Sequence, residues 1–246
     1  MTTKLNPKAI IFDLGSTLIE YEAVSWDELN VLCAESARQF LIERGHTLPE
    51  AKEFHQLFEE AKADYRRLAS ETLKEWDVVQ AIGILLQRIE LTGSNGFKEE
   101  VFDAYYRPVD RLIYIYPDTI DTLTQLQAKG YTIGLISNTV FPERAHLGEL
   151  RRFAIDPFLK FGIFSSTFGL RKPHPDIFRH ACELAGFPPE QCLYVGDRYV
   201  EDVVGPTGIG MSAVLKLKAG REYPSEMPFA THRINTLSEL SDHLEN

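Results

Sequence analysis

Cysteine, positive charge and long apolar runs are all scarce in this sequence, and each shortage excludes something. The three cysteines, Cys33, Cys182 and Cys192, are an odd number at spacings that match no zinc motif. They read as free thiols of a reducing compartment, not as a disulfide framework. Lys and Arg total 26 against 36 Asp and Glu, for a net charge of −10. Such a chain lacks the basic stripe that a nucleic-acid partner requires. A small anion remains acceptable where a bound cation reverses the local field. No apolar run reaches the roughly 18 residues of a membrane span, so no membrane partner is expected. The opening Met-Thr-Thr-Lys-Leu-Asn-Pro has no apolar h-region. No signal peptide is therefore expected, and the expected compartment is the cytoplasm.

What is present is ordinary globular material, 246 residues with 44% apolar content. That length suits one large domain or a core carrying an inserted module. The run Ala9-Ile10-Ile11-Phe12 reads as a strand buried on both faces of a parallel sheet. From Trp26 to Tyr106 the apolar spacing is helical throughout and no strand signal appears. Helices are expected from Trp26 to Arg44, from Pro49 toward Tyr65, from Thr72 to Ile89 and from Phe97 to Tyr106, with a loop at Gly93–Gly96.

Beyond Ile113, strands and helices alternate. Strands are expected near 131–136, 161–165, 192–195 and 211–217. Helices are expected after Asp118, near 143–153, at 176–185, at 200–209 with a break near Gly205-Pro206, and at 237–244. Alternation of this kind implies right-handed crossovers and a parallel sheet with helices on both faces. The expected fold is therefore α/β, a Rossmann-like doubly wound core formed by residues 1–20 and 111–246. An α-helical bundle cap of residues 21–110 is inserted after the first strand. No repeat or low-complexity tract is present, and either a monomer or a homodimer is compatible.

Several of the expected strands end in polar residues: Asp13, Ser137-Asn138 and Gly196-Asp197. Strand C-termini share one edge of a parallel sheet, where such folds bind ligands. Asp13 beside Asp197 or Asp202 makes a cluster of hard oxygen ligands, which repel unless a proton or cation neutralises them. Mg2+ suits them, since it favours one or two carboxylates plus water and phosphate oxygens. Ser137 and Asn138 add neutral donors for an anion, Ser16 offers another beside Gly15, and Lys172 adds positive charge. A carboxylate, a metal, a lysine and a hydroxyl around one point suit phosphoryl transfer to a carboxylate nucleophile.

These segments resemble the motifs of the haloacid dehalogenase-like hydrolases. Phe-Asp-Leu-Gly-Ser-Thr-Leu at 12–18 is similar to the first motif and Ile-Ser-Asn-Thr at 136–139 to the second. Gly-Leu-Arg-Lys-Pro-His-Pro-Asp-Ile-Phe at 169–178 resembles the third, and Val-Gly-Asp-Arg-Tyr-Val-Glu-Asp-Val at 195–203 the fourth. The resemblance implies that Asp13 is the nucleophile and a Mg2+ ligand. It makes Asp197 the other main metal carboxylate, with Asp202 acting more indirectly and the Gly15 carbonyl as a further ligand. Ser137 and Lys172 would hold the transferring phosphoryl group, and Thr17 would order the first loop. The implied activity is a Mg2+-dependent phosphatase acting on a small phosphorylated metabolite through an aspartyl-phosphate.

One position departs from that pattern. Where family phosphatases carry a second aspartate, two residues after the nucleophile, this chain has Gly15. Loss of a positioned acid/base costs ~10²–10⁴-fold in rate, so slow turnover is expected. Glu20 and Glu22 are the nearest substitutes, although loop acids are ordinarily solvated. A non-catalytic ligand-binding or partner-binding protein and a 2-haloacid dehalogenase are the alternatives. Within the cap, Tyr21, Trp26, Tyr65, Arg66, Arg67, Arg88 and Tyr105 are candidates for a pocket wall. Core packing is the default for such aromatics and a solvated face for such arginines. His174 reads as a surface loop residue.

Overall fold

A computed structural model describes residues 4–93, 96–230 and 232–245. Its centre is the strand that the apolar run at 9–12 predicts. β1 (Ala9–Phe12) is buried along its whole length. It lies between β4 (Thr132–Ser137) and β6 (Cys192–Gly196), parallel to both. With β5 (Phe161–Phe164), β7 (Ser212–Lys216) and β8 (His232–Ile234) they form one sheet in the order β5-β4-β1-β6-β7-β8. All of its pairings are parallel. The chain leaves β1 for β4 on one side and returns to β6 on the other, so the strand order reverses around β1. Ligands bind at such reversals, outside the carboxyl ends of the strands.

Alternation along β1 sends its side chains to two cores. Ile10 and Phe12 join the larger cluster, which runs on without interruption into the inserted helices. Ala9 and Ile11 join a second cluster with Ile177, Phe178 and Tyr194. Burial of a large apolar side chain is worth about 1.5–3 kcal/mol, so two-sided burial fixes β1 firmly and with it the residue that follows.

Among the described residues the insert has four helices. α1 (Trp26–Glu43) begins at Ser25, whose hydroxyl accepts from the Glu28 N–H. α2 (Ala51–Thr72) ends at Leu73, which has left-handed φ 57°. α3 (Val78–Arg88) is capped by Asp77, which accepts from the Val79 N–H, and α4 (Phe97–Leu112) packs along α1. The third helix thus starts six residues later than its apolar spacing predicts, because α2 continues through Thr72. The intervening segment is docked on the sheet side: the Glu75 N–H donates to Gly169 O and the Val78 N–H to Val140 O. Part of the loop expected at Gly93–Gly96, Ser94 and Asn95, lies outside the described residues.

Two short strands join the insert to the core. β2 (Ile19–Glu20) and β3 (Tyr114–Ile115) pair antiparallel, so both connections run side by side. Each has two residues, too few to show alternation, and β8 with three is equally inconspicuous. The remaining helices are α5 (Thr119–Ala128), α6 (Glu143–Arg152), α7 (Ser165–Phe168) and α8 (Pro175–Ala185). The helix expected over 200–209 is a π turn at Tyr199–Val204 running into α9 (Gly205–Thr207). The expected terminal helix is a 3-10 turn at Leu237–Glu239 followed by α10 (Leu240–His243). Among the described residues no helix is long and apolar enough to cross a membrane.

Candidate active site

Strand register brings the polar residues together. Phe12 pairs with Leu135 on β4 and with Val195 on β6. Asp13 therefore lies level with Ile136 and Gly196, and Ser137 and Asp197 follow one residue on. Asp13 and Ser137 line a cavity of about 230 Å³ together with Lys172 from the loop between α7 and α8, and Asp197 is buried with an oxygen within 4.8 Å of Asp13.

Lys172 organises the floor. Its Nζ donates to Asp13 Oδ1 at 2.7 Å, Asp202 Oδ1 at 2.6 Å and the Tyr194 hydroxyl at 2.8 Å. All three ammonium protons are thereby used. Lys172 is 2% exposed and Asp202 0%. Burial works to lower the lysine pKa, but Asp13 and Asp202 outweigh it and hold the ammonium charged. Burial raises the Asp13 pKa, an effect that Lys172 partly offsets and Asp202 reinforces. Thr17 Oγ1 donates to Asp13 Oδ2 at 3.3 Å, tying the loop to the carboxylate.

Asp202 reaches the floor across Gly196. A Cβ on Gly196 would lie 2.6 Å from Asp202 Oδ2, so only glycine permits the approach. The same Oδ2 accepts from the Arg198 N–H at 2.8 Å, which leaves Oδ1 to Lys172. Asp197 is different. One of its oxygens accepts from Arg221, whereas Oδ1 is buried without a donor. Burial and the neighbouring Asp13 and Asp202 push its pKa up to about 8. Among the described residues, Asp13, Asp197 and Asp202 form one buried acidic group, with an oxygen of each within 4.8 Å of the others. Three crowded carboxylates with one bare oxygen form a donor set that fits a hard divalent cation.

The expected anion donors are placed less simply. Ser137 ends β4 and lines the cavity. Asn138 also lines it, but its side-chain amide is spent on the lysine loop. Its Nδ2 donates to Lys172 O at 2.9 Å, and its Oδ1 accepts from the Lys172 N–H at 2.8 Å. Ser16 has left-handed φ 60°, and its hydroxyl accepts from Lys218 Nζ at 2.9 Å. Gly15 lines the cavity, where a Cβ would sit 3.5 Å from the Tyr21 ring, an ordinary contact.

Neither candidate substitute for a carboxylate at 15 is a solvated loop acid. Glu20 is buried and accepts from Lys218, Tyr116 and the Glu22 N–H. Glu22 lines the cavity but is gripped by Lys218 and Arg221. Burial alone would raise its pKa, yet those two cations bring it down to about 2. A proton carrier near neutral pH needs a much higher value.

Of the insert candidates, Tyr21 and Trp26 line the cavity. Tyr65 stacks on Trp76, and Tyr105 packs edge-on against Phe58 in the insert core. Arg66, Arg67 and Arg88 form exposed ion pairs with Glu59, Asp64 and Glu60. His174 caps α8 by accepting from the Asp176 N–H. Sequence patterns alone do not single out Tyr194, Arg221, Glu75 or His146. The only hint for His146 is a glutamate three residues later on one helix, a common surface arrangement.

A glyceraldehyde 3-phosphate phosphatase of Methanocaldococcus jannaschii is 29% identical over 245 residues, 97% of each chain. A crystal structure of a HAD phosphatase from Thermococcus onnurineus matches at TM-score 0.64 and 24% identity, covering 96% of each chain. A 2-haloacid dehalogenase from Pseudomonas syringae pv. Tomato matches at TM-score 0.68 and 20% identity, covering 96% of this chain and 97% of that one. These two structures show a shared fold. Residues 7–208 match the haloacid dehalogenase-like hydrolases as a family, a span that includes β1, the whole insert and every carboxylate of the cluster, and the chain belongs to that family of enzymes.

Proposed function

We propose that this hydrolase is a Mg2+-dependent phosphatase of a small phosphorylated metabolite. The observation that carries this is the buried trio Asp13, Asp197 and Asp202, closed on one side by Lys172 and left with a bare oxygen at Asp197. Asp13, Asp197 and Asp202 would hold the ion, with the Gly15 carbonyl as a further ligand. When bound, Mg2+ neutralises charge on the phosphoryl oxygens and so permits attack by an anionic group.

The chain's own groups supply the rest. A carboxylate oxygen of Asp13 forms a bond to phosphorus as the bond to the leaving oxygen breaks. Ser137 orients the phosphoryl oxygens and Lys172 attracts them by its charge while holding Asp13 in place, Ser16 fixes the loop beside them, and Asn138 holds the lysine backbone. Water then attacks the aspartyl-phosphate and releases phosphate and the free carboxylate. Residues 1–20 and 111–246 act as the catalytic core. Residues 21–110 act as a cap, whose Tyr21, Trp26 and Glu75 close the leaving-group side of the cavity. The Methanocaldococcus relative makes a triose phosphate the first substrate to try.

The test is phosphate release from glyceraldehyde 3-phosphate and from p-nitrophenyl phosphate, with Mg2+ and with EDTA. Metal-dependent turnover that Asp13→Asn abolishes is the expected result. Turnover that survives Asp13→Asn would refute the assigned nucleophile. Chloride release from 2-chloropropionate in EDTA would point instead to carbon–halogen cleavage.

A further inference from the structure

An alkyl phosphate sheds an alkoxide, which must gain a proton as its bond to phosphorus breaks. The water that later cleaves the aspartyl-phosphate must lose one. Some group on the cavity wall has to pass a proton both ways, and residue 15 has no side chain to do so. Glu22 is held ionised by its cations. Glu75 also faces the cavity, but its oxygens accept from the Ser165 hydroxyl at 2.9 Å and the Trp76 N–H at 3.3 Å. It serves to pin the segment between α2 and α3 to the core.

A different cluster has the required connectivity. Thr139 and His146 line the same cavity as Asp13, Ser137 and Lys172. Thr139 Oγ1 lies 2.7 Å from His146 Nε2, and His146 Nδ1 lies 2.7 Å from Glu149 Oε2. All three residues are buried. Glu149 also accepts from the hydroxyls of Tyr21 and Tyr106. Burial and the Glu149 charge keep both phenols protonated, so they act as donors. Three donors converge on this one buried carboxylate, and the 2.7 Å contact directs the His146 Nδ1 proton toward it. His146 Nε2 is then left facing Thr139. The Phe141 N–H donates to Thr139 Oγ1 at 3.0 Å, which leaves the hydroxyl proton free to be passed on. The Tyr21 ring lies against Gly15, so this cluster stands behind the space into which a side chain at 15 would project.

We propose that Thr139, His146 and Glu149 form a proton relay that replaces the carboxylate absent at residue 15, an inference that rests on the phosphatase function proposed above. Thr139 is the catalytic group of the three, and His146 and Glu149 act through it. In the first half-reaction His146 starts as an imidazolium paired with Glu149. The Thr139 hydroxyl proton goes to the leaving oxygen as the Asp13 oxygen–phosphorus bond forms. The Nε2 proton of His146 refills Thr139, and the alcohol departs. In the second half-reaction water bonds to phosphorus and the Asp13 carboxylate leaves. The water proton passes to Thr139 and the hydroxyl proton to His146 Nε2, which restores the imidazolium.

The experiment compares wild type, His146→Gln, Thr139→Val, Asp13→Asn and the double variant Gly15→Asp/His146→Gln, all with Mg2+. Rapid mixing follows p-nitrophenyl phosphate, and steady-state assays use glyceraldehyde 3-phosphate. Nitrophenolate leaves without a proton, so the relay gives its proton to solvent before it serves as the base that the phosphoenzyme still needs. His146→Gln and Thr139→Val are therefore expected to release one nitrophenolate per active site and then stall. Their turnover of the alkyl phosphate should fall by about 10²-fold or more. Aspartate at residue 15 should bring the His146→Gln enzyme back to within about tenfold of wild type.

Wild-type rates in His146→Gln would overturn the relay. So would loss of the burst without rescue by Gly15→Asp, which would mark His146 as packing alone. Wild-type protein with no Asp13-dependent turnover of either ester would instead overturn the phosphatase function on which the relay rests.

Discussion

Lys172 Nζ and Asp13 Oδ1 are 2.7 Å apart although 159 residues separate them, and the same ammonium lies 2.6 Å from Asp202 Oδ1. One cation thus bridges two carboxylates that lie far apart in the chain. Lys172→Met would strand both in a buried site, and an uncompensated buried charge costs about 3–5 kcal/mol. The variant is expected to unfold at markedly lower urea than wild type and to lose Asp13-dependent turnover. Saturating Mg2+ should recover part of the stability, because a divalent cation can replace the missing charge, but none of the turnover. Urea denaturation with and without Mg2+ checks this, and wild-type stability in the metal-free variant would contradict it.

Two glycines of the site should respond in opposite ways to a side chain. At Gly15 a Cβ meets only the Tyr21 ring, at 3.5 Å. Gly15→Asp should therefore fold with wild-type stability. It should also change alkyl phosphate turnover by less than about tenfold while His146 is intact, since a second acid adds little to one already placed. At Gly196 a Cβ would press against Asp202, whose carboxylate anchors Lys172. Gly196→Ala is expected to cost about 1–3 kcal/mol, as overpacking does, and to abolish turnover by displacing Asp202. Thermal denaturation alongside activity separates the two cases.

The strand-tip residues are readable in sequence because each is a local event. Asp13, Ser137 and Asp197 end or directly follow buried strands, where an apolar run breaks into polar residues, and strand order then gathers them. Asp202 and Lys172 follow from the resemblance to the family's motifs. What stays hidden depends on which distant segments meet. Tyr194 sits in an apolar strand and looks like core, yet it receives a hydrogen bond from Lys172. Lys218 and Arg221 follow β7, and nothing local says that their loop will reach Glu22. Glu149 resembles a surface helix residue until Tyr106 from α4 and Tyr21 from the linker cover it. The end of α2 at Thr72 is hidden for a related reason. Leu73 takes a left-handed conformation without a glycine to signal it, because the following segment is held on the core.

Glu22 ties the linker before α1 to the loop after β7. It accepts from Lys218 at 2.7 Å and from Arg221 at 2.8 Å and 3.0 Å. Burial opposes ionisation, but the cations win and its pKa drops from 4.5 to about 2. A lowered carboxylate pKa stabilises the folded state fully above the unfolded value. That contribution is lost as pH falls through the folded one. The Glu22 contribution should therefore fade between about pH 4.5 and pH 2. Half-exposed networks of this kind are worth ~1 kcal/mol and weaken in salt. Glu22→Gln is expected to lower stability by that amount at pH 6, and by progressively less toward pH 2 or in 1 M salt. Equal destabilisation at pH 6 and pH 2 would show that the charge is not what matters.

Asp197 should behave in the opposite sense. Burial and its acidic neighbours raise its pKa from 3.8 to about 8, so the metal-free fold favours the protonated form. A raised pKa gives stability that is complete below the unfolded value and lost as pH rises through the folded one. Metal-free protein should therefore lose stability between about pH 4 and pH 8. Mg2+ requires the ionised carboxylate, so its binding releases a proton, and its affinity should climb over the same interval. At 100 times its Kd, a ligand that binds only the folded state adds about 2.7 kcal/mol. Asp197→Asn removes both the repulsion and the bare oxygen's charge. It should leave the metal-free protein at least as stable as wild type at pH 8 while abolishing the Mg2+-dependent rise in melting temperature. A variant that still gains the full Mg2+ stabilisation would remove Asp197 from the metal site.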